Sequence, residues 1–281
     1  MDKYQFLKEE ERLDYTLQTL NEEVLNYIEK RKEIANYILD YRKNFIEEHK
    51  DDEDALMEYF DHERYVKEEY YKQIDKKLME LTKLKETPYF GKVIFSDEDD
   101  CQEEIYVGRY GLTKDATFES IIIDWRAPIA SLFYKGSLGP ATYKTPDGEL
   151  SADILARRQF VIKKGSLQGY FDSEVDVKDE ILQMILSSNS GEKLKDIVMT
   201  IQQEQDDIIR EERMKVVVVN GVAGSGKTTI ALHRVAYLLY NYRQQLGNKV
   251  LVLGPNDIFV DYISEILPTL GPSGKQERLN C

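Results

Sequence analysis

Nine consecutive residues carry the clearest chemistry in the chain: Gly221-Val222-Ala223-Gly224-Ser225-Gly226-Lys227-Thr228-Thr229. They fit the spacing GxxxxGK[ST], the pattern of a loop that cradles phosphate groups. Each residue type has a physical reason. Gly221, Gly224 and Gly226 permit backbone angles and close approaches that a side chain would block. Backbone N–H groups then converge on an anion, and the start of the following helix adds partial positive charge. Lys227 supplies a mobile point charge for β- and γ-phosphates. The Thr228 hydroxyl is of the type that ligates Mg²⁺. The competing explanation is a glycine-rich turn that binds nothing. The completeness of the pattern argues against it.

The flanking elements have to position this loop. Upstream, Val216-Val217-Val218-Val219-Asn220 is an apolar β-branched run that reads as a buried parallel strand. Downstream, residues 230–242 read as a helix. Strand, loop and helix in that order are the context the motif requires. Further upstream, within a helical reading of residues 177–212, lies Thr200-Ile201-Gln202-Gln203-Glu204-Gln205-Asp206-Asp207-Ile208-Ile209-Arg210. A glutamine amide offers one donor side and one acceptor side, which match the N6 and N7 edge of adenine. A glutamine on a helix that leads into the loop strand can select ATP, although the run taken alone reads better as a surface helix with several glutamines. After the loop helix, Lys249-Val250-Leu251-Val252-Leu253-Gly254-Pro255-Asn256 reads as a second buried strand ending in a turn, with Asn256 capping a further helix. This makes a βαβα unit, the start of a doubly wound sheet, in which ligands sit at the carboxyl ends of the strands.

The chain has 281 residues, 42% hydrophobic and 32% charged, with formal net charge -14. That length suits about two domains. The acid excess argues against a basic nucleic-acid coat protein, though a motor can carry a local basic track, and it suits a basic protein groove. Cys101 and Cys281 stand far apart without metal-ligand neighbours and read as free thiols in a reducing cytoplasm. The start is too charged for a signal peptide, and no apolar run reaches membrane-spanning length. His49, His62 and His233 suggest no zinc site.

Residues 1–87 precede the first proline and glycine. Leu13, Leu17, Leu20, Val24, Tyr27, Arg31, Ile34, Ile38, Tyr41 and Phe45 alternate steps of four and three, a heptad seam about 48 Å long at 1.5 Å per residue. A less regular pattern follows through Tyr59, Val66, Tyr70, Ile74, Leu78 and Leu81. Between them Asp51, Asp52, Glu53 and Asp54 form an acidic stretch. The reading is an antiparallel coiled coil with an acidic tip; a dimerising coil with a solvated bend competes with it. Residues 88–176 read as a small, mostly β segment, with strands at 92–95, 105–108, 120–125, 132–134, 158–162 and 167–171 and a turn at Asp147-Gly148. Asp124-Trp125-Arg126-Ala127-Pro128 holds the only tryptophan, either an exposed stacking pair with Arg126 or the anchor of a small core. Residues 177–281 complete an α/β chain with the loop-bearing lobe.

These stretches together resemble superfamily 1 helicases of the UvrD/Rep kind, and more closely the HelD-type branch, bacterial motors that act on RNA polymerase. The resemblance rests on the helical N-terminus, Pro88-Tyr89-Phe90-Gly91, Ile123-Asp124-Trp125-Arg126-Ala127-Pro128-Ile129, Arg158-Gln159-Phe160, the stretch from Thr200 to Arg210, the phosphate loop with Val235-Ala236-Tyr237-Leu238-Leu239-Tyr240, and Gly254-Pro255-Asn256. It implies a partial RecA-like P-loop lobe and ATP with Mg²⁺ as cofactors. Gln205 matches the adenine-reading glutamine, with Gln202 as the alternative register. Gly254, Pro255 and Asn256 fall where the family contacts single-stranded nucleic acid. The family's N-terminal coiled coil enters the polymerase secondary channel, which makes Asp51, Asp52, Glu53 and Asp54 a polymerase-facing tip and RNA polymerase and DNA the expected partners.

The departures also count. No Walker B acid pair, arginine finger or second motor lobe is recognisable, and Asp257 lies on the strand where the family has its nucleic-acid motif. The expectation is therefore the ATP-binding N-terminal part of a helicase-type ATPase, holding half of an ATP site. The alternative is a non-catalytic polymerase-binding module with a remnant ATP site. A chromosome-maintenance ATPase would place its loop before its coil, the reverse of the order here.

Overall fold

A computed structural model describes residues 3–48, 62–97, 100–135, 137–145, 148–172, 203–212, 214–222, 224–246 and 249–254. The acidic tip at 51–54, Tyr59, Thr200, Gln202, Ala223, Pro255, Asn256, Asp257 and Cys281 lie outside them. The chain divides into two compact units that interleave along the sequence. One comprises residues 1–92, 105–124 and 158–172; the other comprises 93–104, 125–157 and 173–281.

The first unit is built on two helices, α1 (Lys3–Glu48) and α2 (His62–Leu84). Arg31 pairs with Asp75 and Arg42 with Glu68, so the helices run antiparallel. On α1 the expected seam faces inward, with Leu13 and Leu20 fully buried and Leu17, Val24 and Tyr27 packed beside them. On α2 the start of the stripe differs from the sequence reading. Ile74 and Leu81 are buried, but Val66 and Tyr70 point outward at 49% and 44% exposure. Tyr71 takes the inward position instead, its ring 5.3 Å from the Arg31 guanidinium. Tyr71, Ile74 and Leu81 lie on one helix face, so the stripe holds from Ile74 onward and departs from the reading only at Val66 and Tyr70.

Strands β1 (Gly91–Ser96), β2 (Gln102–Gly108), β3 (Leu112–Lys114), β4 (Glu119–Asp124), β5 (Gly139–Thr145), β6 (Gly148–Lys163) and β7 (Ser166–Asp172) form a mixed sheet. In the first unit the order is β3-β4-β2-β1-β6-β7. β4 runs parallel to β2, pairing Ile123 with Val107, while β3–β4 and β6–β7 are antiparallel. Leu13, Leu20, Leu81 and Leu84 pack on Tyr89, Tyr106, Ile121, Ile122 and Phe160 to make this unit's core. Tyr89, Tyr106 and Phe160 meet ring to ring, with Tyr89 edge-on to both others at 4.8 and 5.2 Å.

A buried carboxylate fastens α1 to this sheet. Glu9 Oε1 accepts from Arg158 at 2.7 Å and from Lys92 at 3.3 Å, and its Oε2 accepts from the Tyr106 hydroxyl at 3.0 Å. Farther along α1, Lys30 donates to Asp115 at 2.7 Å and Glu23 accepts the Asp115 N–H, holding the β3–β4 turn.

In the second unit β5 pairs with β6 from Gly139↔Ile154 to Thr145↔Gly148, so Gly148, read as part of a turn, already belongs to β6, and Asp147 lies outside the described residues. Residues 132–134, expected as a strand, are helical. Pro128 starts a 3-10 turn, Pro128–Ala130, that continues into α3 (Ser131–Tyr134). All four α3 residues are buried, so a helical turn carried the apolar run of an inner strand. Arg157 donates to the Phe133 and Lys135 carbonyls at its end. Helices α4 (Gln203–Arg210), α5 (Lys227–Asn241) and α6 (Arg243–Leu246) complete the described part of this unit.

The valine run at 216–220 and the run at 249–254 do not join a sheet among the described residues. Val216 and Val218 are 76% and 85% exposed, and Leu251 and Leu253 are also open. A strand is made by neighbours that take its N–H and C=O groups, and neither run has one among the described residues. This corrects the expectation that both are buried parallel strands.

Candidate nucleotide-binding site

The glycine loop has the backbone its sequence demands. Gly224 and Gly226 stand at φ of +80° and +81°, a region that L side chains rarely adopt. Gly226 is the residue from which α5 departs, and its carbonyl accepts the Ile230 N–H at 2.9 Å. A Cβ on Gly221 would stand 2.7 Å from the Ser225 hydroxyl, which would have to rotate away to admit it. A Cβ on Gly224 or Gly226 would meet nothing within 4 Å, which leaves open space over that part of the loop. Lys227 begins α5 and bends back over the loop, its ammonium donating to the Gly221 carbonyl at 2.9 Å and the Val222 carbonyl at 2.6 Å. Thr228 is exposed on the first turn. An open loop with left-handed glycines, an ammonium and a hydroxyl at a helix start is a donor set of the kind that suits a polyphosphate and its Mg²⁺.

Helix α4 carries Gln205, half-buried, and packs beside α5. Arg234 of α5 donates to the Ile208 carbonyl at 2.6 Å. The last residue of α4, Arg210, is nearly enclosed. Its Nε donates to Asp206 at 2.7 Å, one helical turn back. Its remaining arms donate to the Ala127 carbonyl at 3.1 Å and the Trp125 carbonyl at 2.6 Å. Its guanidinium also lies 5.2 Å from the Tyr237 ring and 5.8 Å from the Tyr134 ring. Burial pushes the Asp206 carboxyl upward against the pull of Arg210. Burial acts to lower Arg210, but the charge and hydrogen bond of Asp206 outweigh it and hold the guanidinium above its ordinary value.

The Asp-Trp-Arg-Ala-Pro segment is the anchor of a core. Trp125 is 1% exposed and Arg126 4%. The indole meets the His233 ring edge-on at 5.5 Å, and His233 Nδ1 lies 2.7 Å from the Thr229 carbonyl at the end of the glycine loop. Arg126 stacks over Tyr240 at 4.7 Å, and its carbonyl accepts from Asn241 at 3.2 Å. Of the two readings of this segment, the core anchor is the one the structure shows: both side chains pack against α5.

The structure thus packs α4, which carries Gln205, beside α5, at whose start the glycine loop lies, and ties both helices to the segment at 125–127. Gly254 is exposed at the end of the second apolar run. The sequence reading quoted Asp206, Arg210 and His233 without giving them a role. The four-residue spacing of Asp206 and Arg210 was the available signal, since it places an acid and a base on one helix face.

The family model for DNA helicase IV HelD, N-terminal domain, matches residues 6–184, more than half of the 281 residues. The chain belongs to the HelD family and carries its N-terminal domain. No curated protein gives a significant sequence match. No helix among the described residues is long and apolar enough to cross a membrane.

Proposed function

We propose that this chain is the ATP-binding N-terminal part of a HelD-type superfamily 1 motor. The motor uses ATP to move nucleic acid or to displace RNA polymerase. The observation that carries the reading is the loop at 221–229: two left-handed glycines with open space beside them, and Lys227 at the start of a helix packed beside the one bearing Gln205. Lys227 leaves the Gly221 and Val222 carbonyls to hold the β- and γ-phosphates. Thr228 ligates Mg²⁺, and the Gln205 amide reads adenine. Mg²⁺, when bound, supplies charge neutralisation between phosphate oxygens. Gly254, Pro255 and Asn256 meet single-stranded nucleic acid, and the antiparallel helices with Asp51, Asp52, Glu53 and Asp54 probe a basic channel of the polymerase.

The first test is equilibrium binding of a fluorescent ATP analogue to the chain and to Lys227→Ala. Binding is expected in the parent and lost in the variant, because the phosphates lose their one mobile cation. Equal binding by both removes the assignment. Steady-state ATP turnover by the same pair then shows whether the residues present suffice for hydrolysis. Capture by core RNA polymerase is expected to fail when residues 13–85 are deleted, and undiminished capture counts against the polymerase-facing role.

A further inference from the structure

Three successive backbone carbonyls, those of Trp125, Arg126 and Ala127, are taken by side chains from two different helices. Arg210 of α4 takes the first and third, and Asn241 of α5 takes the second. Side-chain rings complete the grip. Trp125 stands edge-on to His233, Arg126 lies over Tyr240, and the Arg210 guanidinium lies near the Tyr134 and Tyr237 rings. Arg234 adds a direct tie from α5 to the Ile208 carbonyl of α4. A segment so held acts as a strap that fixes the separation of the two helices.

That separation matters for a nucleotide. The glycine loop and Lys227 belong to the start of α5, whereas Gln205 belongs to α4. Base and phosphates of one nucleotide are covalently joined, so binding both at once requires the two helices at one spacing. Contacts that are individually modest add only when the linkage can span them. We propose that Arg210 is a positioning residue for adenine recognition, setting α4, and with it Gln205, at the distance from the phosphate loop that a nucleoside triphosphate spans. Arginine suits the task. Its planar fork serves a carboxylate and two carbonyls from three separate nitrogens, whereas a lysine ammonium would have to serve all three from one point. This inference rests on the reading of the loop as an ATP site.

The test compares two probes on the full chain. Inorganic tripolyphosphate touches only the loop, whereas ATP touches loop and adenine reader. Isothermal titration of both, with GTP as a third probe, is run on the parent and on Arg210→Met. The expected result is a roughly tenfold loss of ATP affinity, the scale of one misplaced hydrogen-bond pair, with tripolyphosphate affinity unchanged and ATP–GTP discrimination reduced. General loosening of the lobe would weaken both triphosphates alike, and that outcome overturns the proposal, as does an unchanged ratio. Fluorescence of Trp125, the one tryptophan, reports whether the strap is intact, since a buried indole emits to the blue of an exposed one. Where Arg210→Met does not fold, Arg210→Lys retains the charge beside Asp206 but loses the fork. A smaller shift of the same ratio is then expected, and no shift overturns the proposal. A parent chain that binds neither ATP nor tripolyphosphate refutes the ATP site itself. A parent that prefers ATP, with variants of unchanged ratio, refutes only the role of Arg210.

Discussion

At the scale of single residues, burial decides which charges matter. The chain is rich in exposed ion pairs, such as Arg42 with Glu68, whose removal should leave the unfolding midpoint unchanged because water competes for both partners. Glu9 is different. Its side chain is 2% exposed, and it satisfies Lys92, Arg158 and the Tyr106 hydroxyl together. Glu9→Ala leaves Lys92 buried without its carboxylate, although Arg158 keeps Asp172 at 2.5 Å. The expected cost is about 3–5 kcal/mol, the range for breaking one side of a buried pair. Urea unfolding of Glu9→Ala beside Glu68→Ala checks this; comparable midpoints for the two would show that the Glu9 cluster is solvated in solution. The same contrast separates Lys227 from Arg210. Lys227 lies on an open loop and is free to change partners, while Arg210 is locked among a carboxylate, two carbonyls and two rings.

At the scale of elements, close backbone approach sets the tolerances. Gly108 ends β2 where the strand pairs with β4, and a Cβ there would lie 2.4 Å from the Pro88 carbonyl oxygen and 2.7 Å from Ile122. The first neighbour is backbone and cannot step aside. Gly108→Ala is therefore expected to cost about 1–3 kcal/mol by overpacking, read as a lower urea midpoint. Gly169→Ala in β7, where a Cβ would meet nothing within 4 Å, should leave the midpoint in place. The elements also show which signals a sequence carries. The α1 seam was legible because its apolar period persists for many turns, and Leu13 and Leu20 are buried as read. Strands β1, β2, β4 and β7 and the last third of β6 are legible from short apolar runs, whereas β3 and the half-exposed start of β6 are not. Nor is β5, since none of its residues is fully buried and half-exposed positions leave no apolar signature. α3 was misread because four buried residues are too few to show a period. Within the candidate site, the glycine loop could be read because local backbone demands dictate its residues. The strap could not, because Trp125 and Arg210 stand 85 residues apart and Arg126 and Asn241 stand 115 apart. Their roles exist only once tertiary packing has brought them together.

At the scale of the whole molecule, the 19 tyrosines of an acidic chain offer a titration that reads both compact units at once. In the first unit, burial pushes the Tyr89 phenol well above its ordinary value. In the second, burial and the Glu212 carboxylate raise Tyr237, whose hydroxyl donates to Glu212 at 2.7 Å, and raise Tyr242 to about 12. In the unfolded chain these phenols ionise near pH 10. Above that pH the unfolded state holds fewer protons than the folded state, so stability falls as pH rises. The contribution is fully present below about pH 10 and is lost as pH climbs through the folded value near 12. Absorbance at the phenolate band should therefore rise in two stages, the exposed tyrosines first and the raised group later or on unfolding. Glu212→Gln removes the negative charge that Tyr237 and Tyr242 share, and should bring their ionisation to lower pH while Tyr89 is unmoved. The result that would refute this account is a single transition centred near pH 10 in the folded protein. It would mean that Glu212 does not hold these phenols and that Tyr237, one of the rings beside Arg210, is open to solvent. A late stage that survives in Glu212→Gln is the share held by burial, of Tyr89 in the first unit and of Tyr237 and Tyr242 in the second, and the part that moves to lower pH is the share held by Glu212.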